Sequence, residues 1–186
     1  MSAWFAVRVR PKHERTAATG LERLGFEQYV PLHRVRRRWS DRLKEIDAVL
    51  FPGYIFCRFA SSERTRVLSC PGVESVVRRG KTDIPVDDAE LAAVRALVAS
   101  GRPLLTWPHL HIGQRVAIEH GPLSGLRGVI VRDADNWRVV VGIEALNRSV
   151  AVEVDREMIA SEIPSQPKPI DPSQVTWPSP NLATKF

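Results

Sequence analysis

Leu50-Phe51-Pro52-Gly53-Tyr54-Ile55-Phe56 is the stretch on which the reading of this chain turns. Proline fixes φ and glycine reaches positive φ at low cost, so Pro52-Gly53 predicts a tight turn. Around it, Val49–Phe59 reads as a strand. Tyr54, Phe56 and Arg58 share one face, and Ile55, Cys57 and Phe59 share the other. A sheet covered by helices on both sides explains two apolar faces without a partner. A groove that receives a partner's helices, with Phe51, Tyr54 and Phe56 as anchors, explains them with one.

Working outward, Trp4–Arg10 alternates, with Phe5, Val7 and Val9 on the core face, and predicts a second strand ended by Pro11. A helix is expected from Lys12 to Leu24, with Ala17, Leu21 and Leu24 as its stripe and Gly25 as its stop. Phe26–His33 reads as a strand broken at Pro31. Arg34–Asp47 is too polar to bury itself and predicts a projecting hairpin or loop. A short helix follows from Ser61 or Ser62 to Ser69, then a strand over Val73–Arg79. A last helix is capped by Asp87 or Asp88, buries Leu91, Val94 and Val98, and is closed by Gly101. The order over residues 1–100 is β-α-β-β-α-β-α, an α+β sandwich with a mainly antiparallel sheet.

Residues 101–111 carry Pro103 and Pro108 and read as a linker. Strands are expected at Arg115–His120, Gly128–Asp133, Arg138–Ile143 and Ser149–Val154, the pattern of a small β-barrel over residues 112–160. Gly121, Pro122, Gly125 and Gly128 supply its turns and close strand approach. Residues 161–186 are rich in Pro and Ser and are expected to be disordered.

The net charge of +6 lies wholly in residues 1–100, which hold 18 Lys and Arg against 12 Asp and Glu; residues 101–186 hold 9 of each. A basic half beside a neutral half suggests that the first half meets a polyanion. No apolar run approaches the roughly 20 residues that span a bilayer, and no signal peptide is read at the start, so a cytoplasmic, monomeric protein is expected. Cys57 and Cys70 read as reduced packing residues. His109 and His111 lack further ligands for a metal, and nothing pairs a nucleophile with a base. No cofactor and no catalytic residue is expected, and the chain reads as a binding protein.

The chain resembles the NusG family of transcription elongation factors. The resemblance covers Trp4 to Ile159. It rests on Trp4-Phe5, on Pro31 after a tyrosine-bearing strand, on Leu50–Phe56, and on Pro71-Gly72-Val73. In the second half it rests on Ile112-Gly113-Gln114-Arg115-Val116 and on Gly121-Pro122-Leu123-Ser124-Gly125-Leu126-Arg127-Gly128, which looks like a KOW motif. The segment Ile143–Val150 lacks the Phe-Gly-Arg turn usual in housekeeping members, so the chain looks closer to the specialised RfaH-like, polysaccharide-operon type. In RfaH the second domain can refold into a helical hairpin. Here the β-branched runs Val139-Val140-Val141 and Val150-Ala151-Val152 predict strands and no helical state.

The resemblance implies an N-terminal domain that binds the clamp helices of bacterial RNA polymerase and suppresses pausing. The KOW SH3-like β-barrel would meet a small-subunit ribosomal protein or the Rho terminator. On this reading Trp4, Phe51, Pro52, Tyr54 and Phe56 face the polymerase and Thr65 faces its gate loop. Arg36, Arg37, Arg38 and Arg42 would meet phosphates of upstream or non-template DNA, with Trp39 stacking on a base or pinning the hairpin. Arg8, Arg10, Lys12 and Arg15 would read a DNA element, or form ordinary surface pairs with Glu14. The alternative is a ribosome- or RNA-associated KOW protein, for which the aromatic N-terminal surface has no use.

Overall fold

The computed structural model describes residues 2–38, 43–108, 114–133, 136–155 and 158–160. Trp39, Arg42, His109, His111 and the expected disordered tail lie outside these residues. The elements in chain order begin with strand β1 (Ser2–Val9), helix α1 (Glu14–Arg23) and strands β2 (Glu27–Tyr29), β3 (Leu32–Arg38), β4 (Leu43–Val49) and β5 (Tyr54–Ala60). Helix α2 (Arg64–Leu68), strands β6 (Val73–Val76), β7 (Arg78–Arg79), β8 (Thr82–Asp83) and β9 (Pro85–Val86), and helix α3 (Asp88–Ala99) follow. Among the described residues the second half carries strands β10 (Leu104–Pro108), β11 (Gln114–Ile118), β12 (Arg127–Asp133), β13 (Asn136–Ile143), β14 (Arg148–Val154) and β15 (Ile159–Ala160), with one 3₁₀ turn at Glu144–Leu146.

The first sheet runs β2-β5-β1-β6, with β9 also on β1. Its pairings are antiparallel, with Phe5 opposite Cys57 and Val7 opposite Ile55. Phe5, Val7, Val9, Ile55, Cys57 and Phe59 pack with Ala17 and Leu21 of α1 and Val67 of α2. The other face carries Trp4, Ala6 and Phe56, which pack in one cluster with Leu91, Val94 and Leu97 of α3. Asp87 caps α3 by accepting a hydrogen bond from the Ala89 N–H (2.7 Å).

The second sheet runs β10-β14-β13-β12-β11-β15, antiparallel throughout. All four strands read from the sequence form, and no α-helix occurs among the described residues after α3. Gly121 and Gly125 adopt positive φ (86° and 85°). Gly128 serves close approach instead: a Cβ there would lie 2.7 Å from both Val139 Cγ1 and Val140 O.

Four expectations are corrected. Val49–Phe59 is not one strand, because the turn at 51–53 separates β4 from β5. Val73–Arg79 splits at Val77, which still donates its N–H to Ala6 O on β1 (2.8 Å) while its carbonyl accepts from Ile84 N–H (3.1 Å), and the chain continues as β7. The third buried residue of α3 is Leu97, not Val98, which is only partly buried. Residues 104–108, read as linker, form an edge strand on β14.

Candidate docking face

The Pro-Gly turn forms as its residues predict. Tyr54 N–H donates to Phe51 O (3.1 Å), and Gly53 takes φ 82°, as a type II turn requires at that position. The turn is pinned on both sides. Gly53 O accepts from Val9 N–H (2.9 Å), and Gly53 N–H donates to Glu14 Oε1 (2.8 Å). Glu14, expected as a surface partner of the neighbouring arginines, is only 6% exposed, a buried carboxylate at the start of α1. Its signal is a turn glycine whose N–H needs an acceptor, supplied here from 39 residues away.

The turn presents an exposed Pro52 and a partly buried Tyr54. Trp4, Phe51 and Phe56, expected on an open face, are instead core residues at 4%, 0% and 0% exposure. Covering on both sides of the sheet is the physical reason. Phe51 and Phe56 meet edge to face at 6.0 Å, and Tyr29 stacks on Phe56 at 6.3 Å. Arg95 of α3 lies over both Trp4 (5.1 Å) and Tyr29 (4.9 Å). Burial pushes the Tyr29 phenol up, and Arg95 partly offsets this. Phe5 faces the α1 side, as its alternation with Val7 and Val9 predicts.

The second sheet completes the cover. Val116, Ile118, Val139, Val141 and Ile143 belong to the same apolar cluster as Phe51 and Phe56. Arg148 at the start of β14 lies over the Tyr54 ring. Arg79 pairs with Glu144 (3.4 Å), and Glu90 Oε1 accepts from Glu144 N–H (3.3 Å). Burial, with Asp87 and the Glu144 carboxylate near, pushes the Glu90 carboxyl up; the Glu144 N–H opposes this.

The basic residues fall into two groups that the fold brings together. β3 and β4 form a two-stranded hairpin that carries Arg34, Arg36, Arg37 and Arg38 on one arm. Arg15 of α1 reaches across to donate to Asp47 O on β4 (3.4 Å), which sets the exposed Arg10, Lys12 and Arg15 beside the hairpin base. Lys12 holds φ 67°, an uncommon backbone for a lysine. Arg8 is engaged by Glu74 (3.2 Å). Burial lowers the pKa of His33, so it stays neutral at pH 7 and adds no charge here. Thr65 is exposed on α2, while its neighbours are occupied: Arg64 binds Asp83 (2.8 Å), and Arg66 binds Glu63 (3.0 Å) and Leu24 O (3.0 Å).

No group of His, Cys, Asp and Glu among the described residues is arranged to hold a metal, and no helix there is long and apolar enough to cross a membrane. The arrangement defines a protein built around an apolar face and a basic one. Comparison with known proteins gives that class its family. The family model described as transcription termination factor NusG matches residues 2–95, just over half of the chain. The chain belongs to the NusG family of transcription factors. A solved structure titled "Domain interaction in Thermotoga maritima NusG" is 22% identical, covers 88% of this chain and 98% of its own, and superposes with a TM-score of 0.51. A chain of the MjSpt4:Spt5 complex in conformation A, 17% identical over 84% of this chain and 96% of its own, gives a TM-score of 0.29, too low to define a shared fold. No curated protein matches the sequence.

Proposed function

We propose that this protein is a transcription elongation and antitermination factor that docks on the clamp helices of bacterial RNA polymerase through the face centred on Tyr54. The observation that carries the reading is Tyr54 itself. It is a partly buried tyrosine beside an exposed proline, packed against the apolar cluster that includes Phe51 and Phe56, within the residues that the family model matches. Such a residue has the chemistry of an interface anchor. Trp4, Phe51 and Phe56 support Tyr54 from within that cluster, and Thr65 would make a second polymerase contact, to the gate loop. Arg10, Lys12, Arg15 and the hairpin arginines supply salt-dependent contacts to upstream or non-template DNA. Docking stabilises the unpaused polymerase by differential affinity for that state.

The second sheet is, on this reading, a KOW SH3-like β-barrel that engages a small-subunit ribosomal protein or Rho. The absence of a Phe-Gly-Arg turn in Ile143–Val150 favours a specialised, operon-directed member. The test is capture of core RNA polymerase by wild-type protein and by Tyr54→Ala, followed by transcription over a pause site. Loss of an anchor of about 2 kcal/mol weakens binding roughly thirtyfold. Full binding by a folded Tyr54→Ala protein would overturn the assignment.

A further inference from the structure

We propose that Glu14 is a positioning residue: its carboxylate braces the docking turn at residues 51–53 against the basic loop at residues 10–12, so that Tyr54 and the Arg10 and Lys12 cations meet one complex at a set spacing. The proposal rests on the docking reading above and deepens it. The brace itself stands on hydrogen bonds.

Three loops meet at one end of the first sheet. Residues 10–13 join β1 to α1, residues 50–53 join β4 to β5, and residues 69–72 join α2 to β6. Val9 N–H donates to Gly53 O (2.9 Å), and Arg10 N–H donates to Gly72 O (2.9 Å), so the end of β1 holds both of the other loops. Gly72, at φ 91°, lies close against α1: a Cβ there would be 3.6 Å from His13 Cβ and 3.7 Å from Ala17 Cβ. The bonds from Val9 and Arg10 join backbone to backbone and survive a side-chain substitution. The bond from Gly53 N–H to Glu14 Oε1 (2.8 Å) does not, because its acceptor is the carboxylate.

The brace lies between the two candidate contacts. Tyr54 directly follows the braced Gly53, and only His13 separates Lys12 from Glu14. Lys12 holds φ 67°, and His13 N–H closes back on Arg10 O (3.0 Å), so the loop is a tight turn whose strained lysine is held by its neighbours. Glu14 stands in the first turn of α1, where the positive end of the helix favours a carboxylate. Arg10 and Lys12 are exposed, whereas Arg8 is paired with Glu74. Two contacts carried on one body gain affinity when their spacing matches the target, and lose that gain when the spacing wanders.

The test uses the full chain and compares core RNA polymerase with the same polymerase assembled on a DNA scaffold. Glu14→Ala removes the acceptor. Glu14→Asp keeps the charge but withdraws it by one methylene, and Glu14→Gln removes the charge but keeps an acceptor. The Ala and Asp proteins are expected to lose about tenfold more affinity for the scaffold complex than for core polymerase. Their log affinity for the scaffold complex is expected to fall less steeply with log salt, by about 1–2 in slope, because the Arg10 and Lys12 phosphate contacts drop out. Glu14→Gln is expected to keep the wild-type ratio and slope. Phe26→Leu, a core deletion in the apolar cluster under α1, controls for lost stability and is expected to keep both as well. If the Ala protein does not fold, the Asp protein decides. Wild-type ratio and slope in the folded Ala or Asp protein would overturn the proposal, as would an equal loss in the Gln protein. ¹⁵N order parameters separate the brace from docking. The Lys12 and Tyr54 amides are expected near about 0.85 in wild type and to loosen together toward 0.6 without the acceptor. Unchanged values at both amides sink the brace. Joint loosening while wild type binds no polymerase would leave the brace standing and overturn the docking reading.

Discussion

The guanidinium of Arg148, at the start of β14, lies 5.5 Å from the centre of the Tyr54 ring, at the start of β5. A residue of the second sheet thus covers one face of the candidate docking tyrosine. A cation over a tyrosine contributes about 0.5–2 kcal/mol, depending on how far it is desolvated. Replacing Arg148 with Ala removes that contribution from the covered arrangement only. If Tyr54 must be uncovered to bind polymerase, Arg148→Ala binds about twofold to thirtyfold more tightly. Titration of both proteins against core polymerase measures this, and unchanged or weaker binding would contradict it.

Glu14 and Gly53 give a prediction about stability. The carboxylate accepts the turn N–H in a nearly closed site. Glu14→Ala leaves that donor without its partner, at a cost of about 1–3 kcal/mol. Glu14→Gln retains an acceptor oxygen and recovers most of the loss. Urea denaturation of the three proteins checks the order, which is wild type, then Gln, then Ala. By contrast Phe51→Ala opens a cavity in the core at about 3–5 kcal/mol, so its effect on binding is confounded by folding.

Gly128 gives a third. A methyl group there meets both a valine side chain and the Val140 backbone oxygen at 2.7 Å, and backbone cannot step aside cheaply. Gly128→Ala forces β12 from β13 and is expected to destabilise the second sheet by about 1–3 kcal/mol. Gly125→Ala has open space and carries only the strain of φ 85°, about 1–2 kcal/mol. Thermal melts of both variants test whether Gly128 is the costlier site.

How much of this was legible in the sequence depended on distance along the chain. The alternation of β1 and β5 follows from period two, and it sorted Phe5 and Ile55 from Trp4 and Phe56 correctly. What covers the Phe56 face did not follow, because α3 and the second sheet come from 30 or more residues away. The aromatics were therefore expected on the surface and lie in the core. Leu97 and Val98 are adjacent apolar residues, and a helical period of 3.6 admits either as the third of the stripe. Pro103 and Pro108 marked residues 101–111 as linker, yet an edge strand needs its ladder on one side only and tolerates proline. The basic clusters were legible as charge, but their union through Arg15 and Asp47 was not, since the two lie 32 residues apart.

Glu90 makes the closed arrangement sensitive to pH. Its carboxyl faces the Glu144 N–H, with the Asp87 and Glu144 carboxylates near and Arg79 on Glu144. Burial raises its pKa above the ordinary 4.5. At pH values below 4.5 the carboxyl is protonated in folded and unfolded chains alike, and the group costs nothing. As pH rises from 4.5 to the raised value, the unfolded chain loses the proton first, and stability falls; above that value the penalty is constant. Glu90→Gln keeps an acceptor for the Glu144 N–H and removes the charge. It is expected to stabilise the protein at pH 7 and to leave it nearly unchanged at pH 4. Denaturant midpoints at the two pH values measure the difference, and a gain that is equal at both would show that the carboxylate charge is not what burdens the interface.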